Sequence, residues 1–336
     1  MENKMLSAPL KIGSTSIKNR VVVPAMADFG MTGADGLVNE RHILRYGSCA
    51  KGGAGLIIIE ACSVAHFEEN RGTIVLDSDV CLPGMTKLAK AATDHEAVVL
   101  VQIMLTGLAV MPENSIAEIS REKFLKYKAD FLSAAIRCHK AGFHGVELHA
   151  AHGMYLDEII ESSARNDEYG GCFENRVRLL VELIQEIKAA CGKDFLVAVR
   201  FGNPDYAELL KIAAVIEQAG ADILDVSTGM GRYQNVPTDF PFDGKIYAAS
   251  LVKSQTRLPV ICVGNIVDGQ QGEAILKAYY ADMIAVGRGH LCDPEWANKA
   301  LAGMQPNPCL RCRQCMWYVD GRKCPAIRRK ERKDEI

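Results

Sequence analysis

Eight short apolar runs, each followed by a stretch of helical character, limit the fold of this chain more than any other feature. The runs are VVVPAM (21–26), AGLIIIEA (54–61), AVVLVQIM (97–104), GVELHAA (145–151), FLVAVRFG (195–202), ILDVSTG (223–229), LPVICVGN (258–265) and DMIAVGRG (282–289). Most are continuously apolar, as parallel strands buried on both faces are. The stretches between them, such as ERHILRYGSCAKG and NRVRLLVELIQEIKAACG, end in the glycine typical of a helix terminus.

Eight regular βα units predict an α/β fold of the (β/α)8 TIM barrel type. An open doubly wound sheet is the alternative. No compositional break divides the units, however, and no G-x-G-x-x-G follows any of the predicted strands. We expect the barrel to occupy residues 1–303 and a C-terminal extension to occupy residues 304–336.

The charge and hydropathy of the chain exclude some classes of partner. The formal net charge is -2, so there is no electrostatic case for nucleic acid or an anionic membrane as a partner. No apolar run approaches the roughly 18 residues of a membrane span, and the sequence does not open on a secretory leader. We therefore expect a cytoplasmic protein, in which thiols stay reduced and clustered cysteines indicate metal or redox chemistry.

Four of the twelve cysteines lie close together in the predicted extension, in the pattern C-x2-C-x2-C-x8-C. They are Cys309, Cys312, Cys315 and Cys324. Zinc is one interpretation, but zinc sites usually use two pairs separated by a longer loop. Three cysteines at steps of three, and a fourth followed by a proline, are typical of [4Fe-4S] ligation. We predict such a cluster in preference to zinc.

The ends of the predicted strands carry the polar residues that a barrel would use for chemistry. Gln102 and Arg200 end the third and fifth strands, and a buried arginine requires an anion or another acceptor. Gly264, Gly287 and Arg288 follow the last two strands, where barrels often bind phosphate. A phosphate and a flat heterocycle together describe FMN. Each residue taken singly also fits a structural role, such as a tight turn or an internal ion pair.

Two histidines, His149 and His152, stand three apart at the end of the fourth strand. A zinc site would need a third ligand, and the sequence has no H-E-x-x-H. The alternative role is to donate two hydrogen bonds to a carbonyl oxygen of a substrate and polarise it. Two histidines together at a strand end favour this function over a core role.

The segment GVELHAAHGMYLDEIIESSARNDEYGGCFENRVRLLVELIQEI resembles the Old Yellow Enzyme family of flavin-dependent ene-reductases, most specifically at RNDEYGGCFENR (165–176). More narrowly, it is similar to the 2,4-dienoyl-CoA reductase and trimethylamine dehydrogenase branch. LKIGSTSIKNRVVVPAM, AKGGAGLIIIEACSV and ADMIAVGRGHLCDPE resemble the same family, so nearly the whole chain is covered. The resemblance implies FMN at the barrel mouth and a [4Fe-4S] cluster just after the barrel.

Carried over by position, the resemblance also implies roles for individual residues. The implied FMN contacts are Ala25, Met26, Ala27 and Ala61 beside the ring, Gln102 and Arg200 at its pyrimidine edge, Gly264, Gly287 and Arg288 at the phosphate, and Gly229 and Asn265 elsewhere in the cofactor site. His149 and His152 would hold the oxygen of an activated alkene while the flavin N5 hydride attacks the β-carbon.

The chain departs from the family pattern at the expected proton donor and on the third strand. Met154 stands where the family often has a tyrosine, so Tyr155, Asp157, His152 or water is the candidate donor. Leu105 and Leu108 replace a histidine and an arginine, which favours a bulky, largely apolar conjugated substrate.

We therefore predict an FMN- and [4Fe-4S]-dependent ene-reductase. Larger members of the branch continue into a flavin- and NAD(P)H-binding module, whereas this sequence ends twelve residues after Cys324. We accordingly expect a separate electron donor: a ferredoxin, a flavodoxin or an NAD(P)H-oxidising flavoprotein. The alternatives are amine dehydrogenase-type oxidation and a non-catalytic electron-transfer subunit, which Met154 permits.

Overall fold

The computed structural model describes residues 4–66, 72–107, 111, 115–228, 233 and 235–327. Its strands are β1 (Leu10–Ile12), β2 (Thr15–Ile17), β3 (Val21–Val23), β4 (Leu56–Ser63), β5 (Val98–Met104), β6 (Gly145–Ala150), β7 (Leu196–Phe201), β8 (Ile223–Val226), β9 (Val260–Val263) and β10 (Met283–Ala285). Its α-helices are α1 (Glu40–Lys51), α2 (Leu82–Thr93), α3 (Arg121–Lys140), α4 (Tyr155–Glu161), α5 (Phe173–Arg176), α6 (Arg178–Cys191), α7 (Tyr206–Ala219), α8 (Gly244–Lys253), α9 (Gly269–Lys277), α10 (Gly287–Cys292) and α11 (Trp296–Leu301).

Strands β3 to β10 close into a parallel barrel in which each strand pairs with its neighbours in sequence and β10 pairs with β3. All eight strands coincide with the predicted apolar runs, so the predicted barrel is confirmed. The last run is shorter as a strand than predicted, because α10 begins at Gly287. The antiparallel hairpin of β1 and β2 was not predicted, since each of its strands has only three residues.

The alternation of side chains along each strand divides the core into two clusters. The inner cluster fills the barrel and consists of Ile12, Ile17, Val22, Leu56, Ile58, Val98, Leu100, Leu196, Ala198, Ile223, Ile261, Met283 and Ala285. Ile12 and Ile17 belong to the hairpin, which therefore closes one end of the barrel. The intervening strand residues, such as Ile57 and Val99, join a larger outer cluster with the helices.

After α11, residues 304–327 form a segment with two 3₁₀ turns, Met316–Tyr318 and Gly321–Lys323. This segment lies against the connection between β3 and α1. Gly321 N donates a 3.1 Å hydrogen bond to Asp28 Oδ2 of that connection, and Arg41 of α1 lies 3.4 Å from Asp320 Oδ1. Within the described ranges, no helix is both long and apolar enough to cross a membrane.

Candidate active site and cysteine cavity

Strand alternation places five polar side chains inside the barrel, next to the apolar inner cluster. In β5, Val98 and Leu100 point inward, so the next inward position is Gln102. The same count gives the other members: Glu60 on β4, Glu147 on β6, Arg200 on β7 and Asp225 on β8. Each of the five is 7% exposed or less. We call these five residues the polar layer.

Two buried carboxyl groups form the centre of the polar layer. Gln102 Nε2 donates a 2.7 Å hydrogen bond to Glu147 Oε1, and Arg200 Nε lies 3.5 Å from Asp225 Oδ2. Burial, followed by the charge of Asp225, raises the pKa of Glu147 to about 8, and burial also raises the pKa of Asp225. With one arginine beside two buried carboxyls, the pair retains a proton at neutral pH.

Arg200 and Gln102 fit the pyrimidine edge of a flavin. Within the described residues, Arg200 has the ion pair with Asp225 and a 3.4 Å hydrogen bond from Nη1 to Ala25 O. A guanidinium carries five N–H donors, and a buried one is costly unless acceptors meet them. Gln102 uses its Nε2 on Glu147, so its Oε1 is the atom left to accept. A donor-rich arginine beside an amide acceptor matches the carbonyl and N–H groups of that ring edge.

His149 and His152 bond to each other. His149 Nε2 lies 3.0 Å from His152 Nδ1, and His152 Nε2 lies 3.1 Å from Ser227 Oγ. His149 Nδ1 is buried with no hydrogen-bond partner among the described residues. Burial lowers the pKa of His149 well below its usual value, and burial with the charge of Arg200 lowers that of His152 to about 3. Both rings are therefore neutral and form a hydrogen-bonded chain that ends at Ser227. Ser227 follows Asp225 by two residues and so lies on the same, inward side of the barrel.

The candidate proton donors on α4 lie in different surroundings. Tyr155 is fully buried, with its ring centroid 6.1 Å from that of Phe124 and 5.5 Å from that of Tyr127, both on α3. This position between helices does not support a role as proton donor. Asp157 Oδ2 accepts a 2.7 Å hydrogen bond from Gly153 N, in the turn after the histidines, and burial raises its pKa to about 6. Asp157 is thus the acidic group that contacts the histidine turn.

The apolar wall predicted from two leucines is not formed by Leu105. Its side chain is fully buried in the outer cluster, and its carbonyl accepts a 3.2 Å hydrogen bond from Tyr155 N. Leu108 lies outside the described residues, as does Gly229, which was predicted to contact the cofactor.

Arg45 of α1 connects the two chain segments that were predicted to lie beside the flavin ring. Its Nη2 donates a 2.7 Å hydrogen bond to Met26 O, and its Nη1 donates at 3.0 Å to Glu60 Oε2. Glu60 directly precedes Ala61, and residues 25–27 and Ala61 are all partly buried. No sequence signal marks Arg45, because a cation in an amphipathic helix usually faces solvent.

The residues predicted around the phosphate follow β9 and β10: Gly264, Asn265, Gly287 and Arg288. Arg288 Nη2 donates a 2.6 Å hydrogen bond to Asn265 Oδ1, and Asn265 Nδ2 donates at 2.6 Å to Asp243 Oδ2. A Cβ at Gly287 would lie 2.7 Å from Met26 Sδ, so close packing already explains this glycine. Arg288, oriented by Asn265, is the group of this set that best fits a phosphate.

All four clustered cysteines line one cavity of about 40 Å³. On the barrel side its wall contains Arg288, Leu291 and Cys292 of α10. Cys292 is a fifth thiol that its sequence spacing did not reveal. The backbone N of Arg311 lies 3.5 Å from Cys309 Sγ, in donor geometry. Among the described residues, no three His, Cys, Asp or Glu side chains are grouped to hold a metal ion. The iron–sulfur cluster therefore stays a prediction.

Trp317 connects the cysteine cavity to the barrel. Its side chain lines the cavity, and the guanidinium of Arg45 lies 5.1 Å from the centre of its ring. Arg45 in turn holds Met26 and Glu60. Two side chains in contact, Trp317 and Arg45, thus link the cavity to the predicted flavin site.

Comparison with known proteins was made at the level of family, sequence relatives and solved structures. The NADH:flavin oxidoreductase / NADH oxidase family matches residues 5–118 and 112–307. The chain is 33% identical to an NADH oxidase of Thermoanaerobacter brockii, over 91% of this chain and 52% of that protein. It is 32% identical to a cinnamate reductase of Clostridium sporogenes, over 93% of this chain and 55% of that protein.

The chain thus spans about half the length of these curated relatives. Among solved structures, morphinone reductase superimposes with a TM-score of 0.77 at 21% identity, covering 91% of each chain, which shows a shared barrel fold. The family match confirms the predicted kind of flavin oxidoreductase and supports FMN as the cofactor, whereas the narrower branch stays a prediction. The chain belongs to the NADH:flavin oxidoreductase / NADH oxidase family.

Proposed function

We propose that this chain binds FMN at the mouth of the barrel and reduces the activated C=C bond of a conjugated substrate. The observation that carries the proposal is the joint position of Gln102, His149 and Arg200. They lie on the consecutive strands β5, β6 and β7, with His149 opposite Arg200 in the strand register. A flavin edge and a substrate oxygen then have polar partners on the same side of the barrel.

When bound, FMN supplies the hydride. The positive charge of Arg200 stabilises negative charge that develops at the pyrimidine edge, because both lie in a buried, low-dielectric site. Glu147 fixes the orientation of the Gln102 amide through their 2.7 Å hydrogen bond. Arg288, oriented by Asn265, would hold the phosphate.

His149 holds the substrate oxygen, and His152 fixes the tautomer of His149. Because both rings are neutral, His152 can donate through Nδ1 to His149 Nε2, which leaves the His149 proton on Nδ1. His149 Nδ1–H then donates a hydrogen bond to a carbonyl conjugated with the alkene. This hydrogen bond stabilises the negative charge that forms on the carbonyl oxygen as the β-carbon is reduced. The α-carbon then needs a proton. Asp157 is the donor in this proposal, because the one ring proton of neutral His152 is already donated to His149.

The substrate is proposed to be a bulky, largely apolar conjugated compound. A cinnamate reductase is among the relatives more than 30% identical to this chain, and cinnamate has an aromatic ring conjugated to an alkene. This kinship, rather than Leu105, supports the substrate class.

The cysteine cavity is proposed to hold a [4Fe-4S] cluster. Its four cysteines line one cavity and have a spacing typical of such clusters, and the Arg311 amide hydrogen bond to Cys309 Sγ would stabilise thiolate charge. Such a cluster would supply one-electron chemistry beside the flavin site, and a separate donor protein is the proposed source of the electrons. Direct reduction by NADH is the second candidate, and the name of the family favours it.

Anaerobic stopped-flow spectroscopy of the reconstituted protein tests this function. Flavin reduced stoichiometrically with dithionite should be reoxidised on mixing with cinnamate or a cyclic enone, with one saturated product per flavin. A protein that binds FMN but is not reoxidised by any conjugated acceptor would contradict the proposed reaction. Rapid flavin reduction by NADH alone, measured in the same way, would contradict the separate donor protein and support direct reduction by NADH.

A further inference from the structure

The cysteine cavity has a side against the barrel and a side toward solvent. Arg288, Leu291 and Cys292 form the barrel side, and the last two are buried. On the opposite side Cys312 is exposed, whereas the other three cysteines of the motif are partly buried. A cluster held by the four thiols would approach solvent most closely at Cys312. Electrons from outside would therefore enter there and leave toward the barrel.

Exposed cationic side chains are frequent in the segment that carries the four cysteines. Residues 304–327 carry four cations and one anion, although the whole chain has a formal net charge of -2. Arg322 pairs with Asp320 at 2.6 Å, which leaves three exposed cations: Arg311, Arg313 and Lys323. None of these three forms an ion pair with another residue in the described part of the chain.

The same segment, and the β3–α1 connection packed against it, also expose apolar side chains. Leu310 lines the cavity and is 43% exposed, and Val319 is 48% exposed. Phe29, at 49%, belongs to the β3–α1 connection and is adjacent to Gly30, whose Cβ position would be 2.2 Å from Val319 O. An apolar centre with a charged rim is the usual form of a small protein interface.

We propose that this face, formed by Phe29, Leu310, Arg311, Cys312, Arg313, Val319 and Lys323, docks an acidic one-electron carrier protein. The proposal rests on the proposed cluster and reductase function, and it specifies where the donor binds and which charge it carries. The exposed cations steer an anionic surface toward Cys312, and the apolar residues form the contact. Two carrier molecules each lose one electron per turnover. These two electrons and two protons from water convert one C=C bond to CH–CH.

The test compares two electron donors on the reconstituted holoenzyme: an acidic bacterial ferredoxin and methyl viologen, a small cationic donor, each reduced beforehand. The rate of flavin reduction by ferredoxin should fall about tenfold as NaCl rises from about 0.05 M to about 0.5 M, because salt screens steering. The rate with methyl viologen should not fall. A ferredoxin rate that does not respond to salt would overturn the proposal.

A double charge reversal, Arg313→Glu with Lys323→Glu, locates the face. Neither side chain lines the cavity. The matched control, Lys11→Glu with Lys193→Glu, changes the net charge equally at exposed positions near the amino-terminal end of the strands. The first pair should slow reduction by ferredoxin about tenfold without slowing reduction by methyl viologen, whereas the control should change neither rate. Equal ferredoxin rates in the two variants would refute the docking face.

Two further measurements separate this proposal from the function on which it rests. Iron content shows whether the charge-reversed variant keeps its cluster; if it does not, the salt dependence of the wild-type protein decides alone. If methyl viologen reduces the flavin but no conjugated substrate reoxidises it, the proposed reaction fails. The ferredoxin rates then still decide the docking face.

Discussion

Gln102 on β5 donates a 2.7 Å hydrogen bond to Glu147 on β6, and both side chains are buried inside the barrel. The strand register makes the pair, since Gln102 and Glu147 are direct partners across the two strands. The bond fixes the amide of Gln102 in one orientation and keeps a carboxyl group beneath the predicted flavin edge. The protonation of Glu147 therefore connects the stability of the barrel with the geometry of the cofactor site.

The raised pKa of Glu147 predicts that stability falls as pH rises. The folded protein keeps this proton up to about pH 8, whereas an unfolded glutamic acid loses it near 4.5. The folded state therefore binds more protons between these values, and the free energy of unfolding should decrease through that window. Denaturation of the apoprotein at a series of pH values measures this slope. Glu147→Gln should flatten it and Glu122→Gln, at an exposed position, should not; an unchanged slope in Glu147→Gln would contradict the assignment.

Replacing His149 by Ala should lower the rate of substrate reduction by about 100-fold or more, because one hydrogen-bond donor to the developing oxyanion is lost. His152→Asn should have a similar effect, and Asn tolerates the left-handed backbone at this position, where φ is 66°. The FMN content should stay at one per chain in both variants. His95→Ala, at an exposed histidine, is the control. Normal turnover by His149→Ala would remove the histidines from the mechanism.

Replacing Arg45 by Met should destabilise the protein by about 3 kcal/mol, because Glu60 is fully buried and would lose its ion pair. Lys90→Ala removes an exposed ion pair with Asp94 and should cost less than about 0.5 kcal/mol. Urea denaturation gives both values. The Arg45 variant should also change the fluorescence of Trp317, whose ring lies against the guanidinium. A loss as small as that of the control would show that the Arg45–Glu60 ion pair does not stabilise the fold.

Single replacement of Cys312 or Cys315 by Ala should abolish retention of a cluster. Wild-type protein reconstituted with iron and sulfide should hold about four iron atoms per chain. Cys172→Ala, the matched control at an exposed cysteine outside the motif, should retain the wild-type content. Iron and acid-labile sulfide are measured directly. Tight binding of one zinc ion per chain, with no retained sulfide, would instead assign the motif to zinc.

The barrel and much of the candidate site could be predicted from the sequence, because parallel strands have a strict two-residue period. Once β5 and β7 are recognised, their apolar inward residues put Gln102 and Arg200 inside the barrel. The same period applies to Glu147 and Asp225, but the sequence does not show which residue a carboxylate within an apolar run will pair with. Only the closed sheet shows that these two acids share one arginine.

The positions of the side chains outside the strands depend on the tertiary structure. Tyr155 follows the histidines by only three positions, yet the phase of α4 turns its ring toward α3 and away from the predicted role. Arg45 and Trp317 are 272 residues apart in the sequence and meet only because the C-terminal segment packs on the β3–α1 connection. The sequence by itself determined the barrel and its polar strand ends, since these follow from local periodicity. The tertiary structure decided which side chains meet, because those contacts depend on helix phase and on packing between segments distant in the chain.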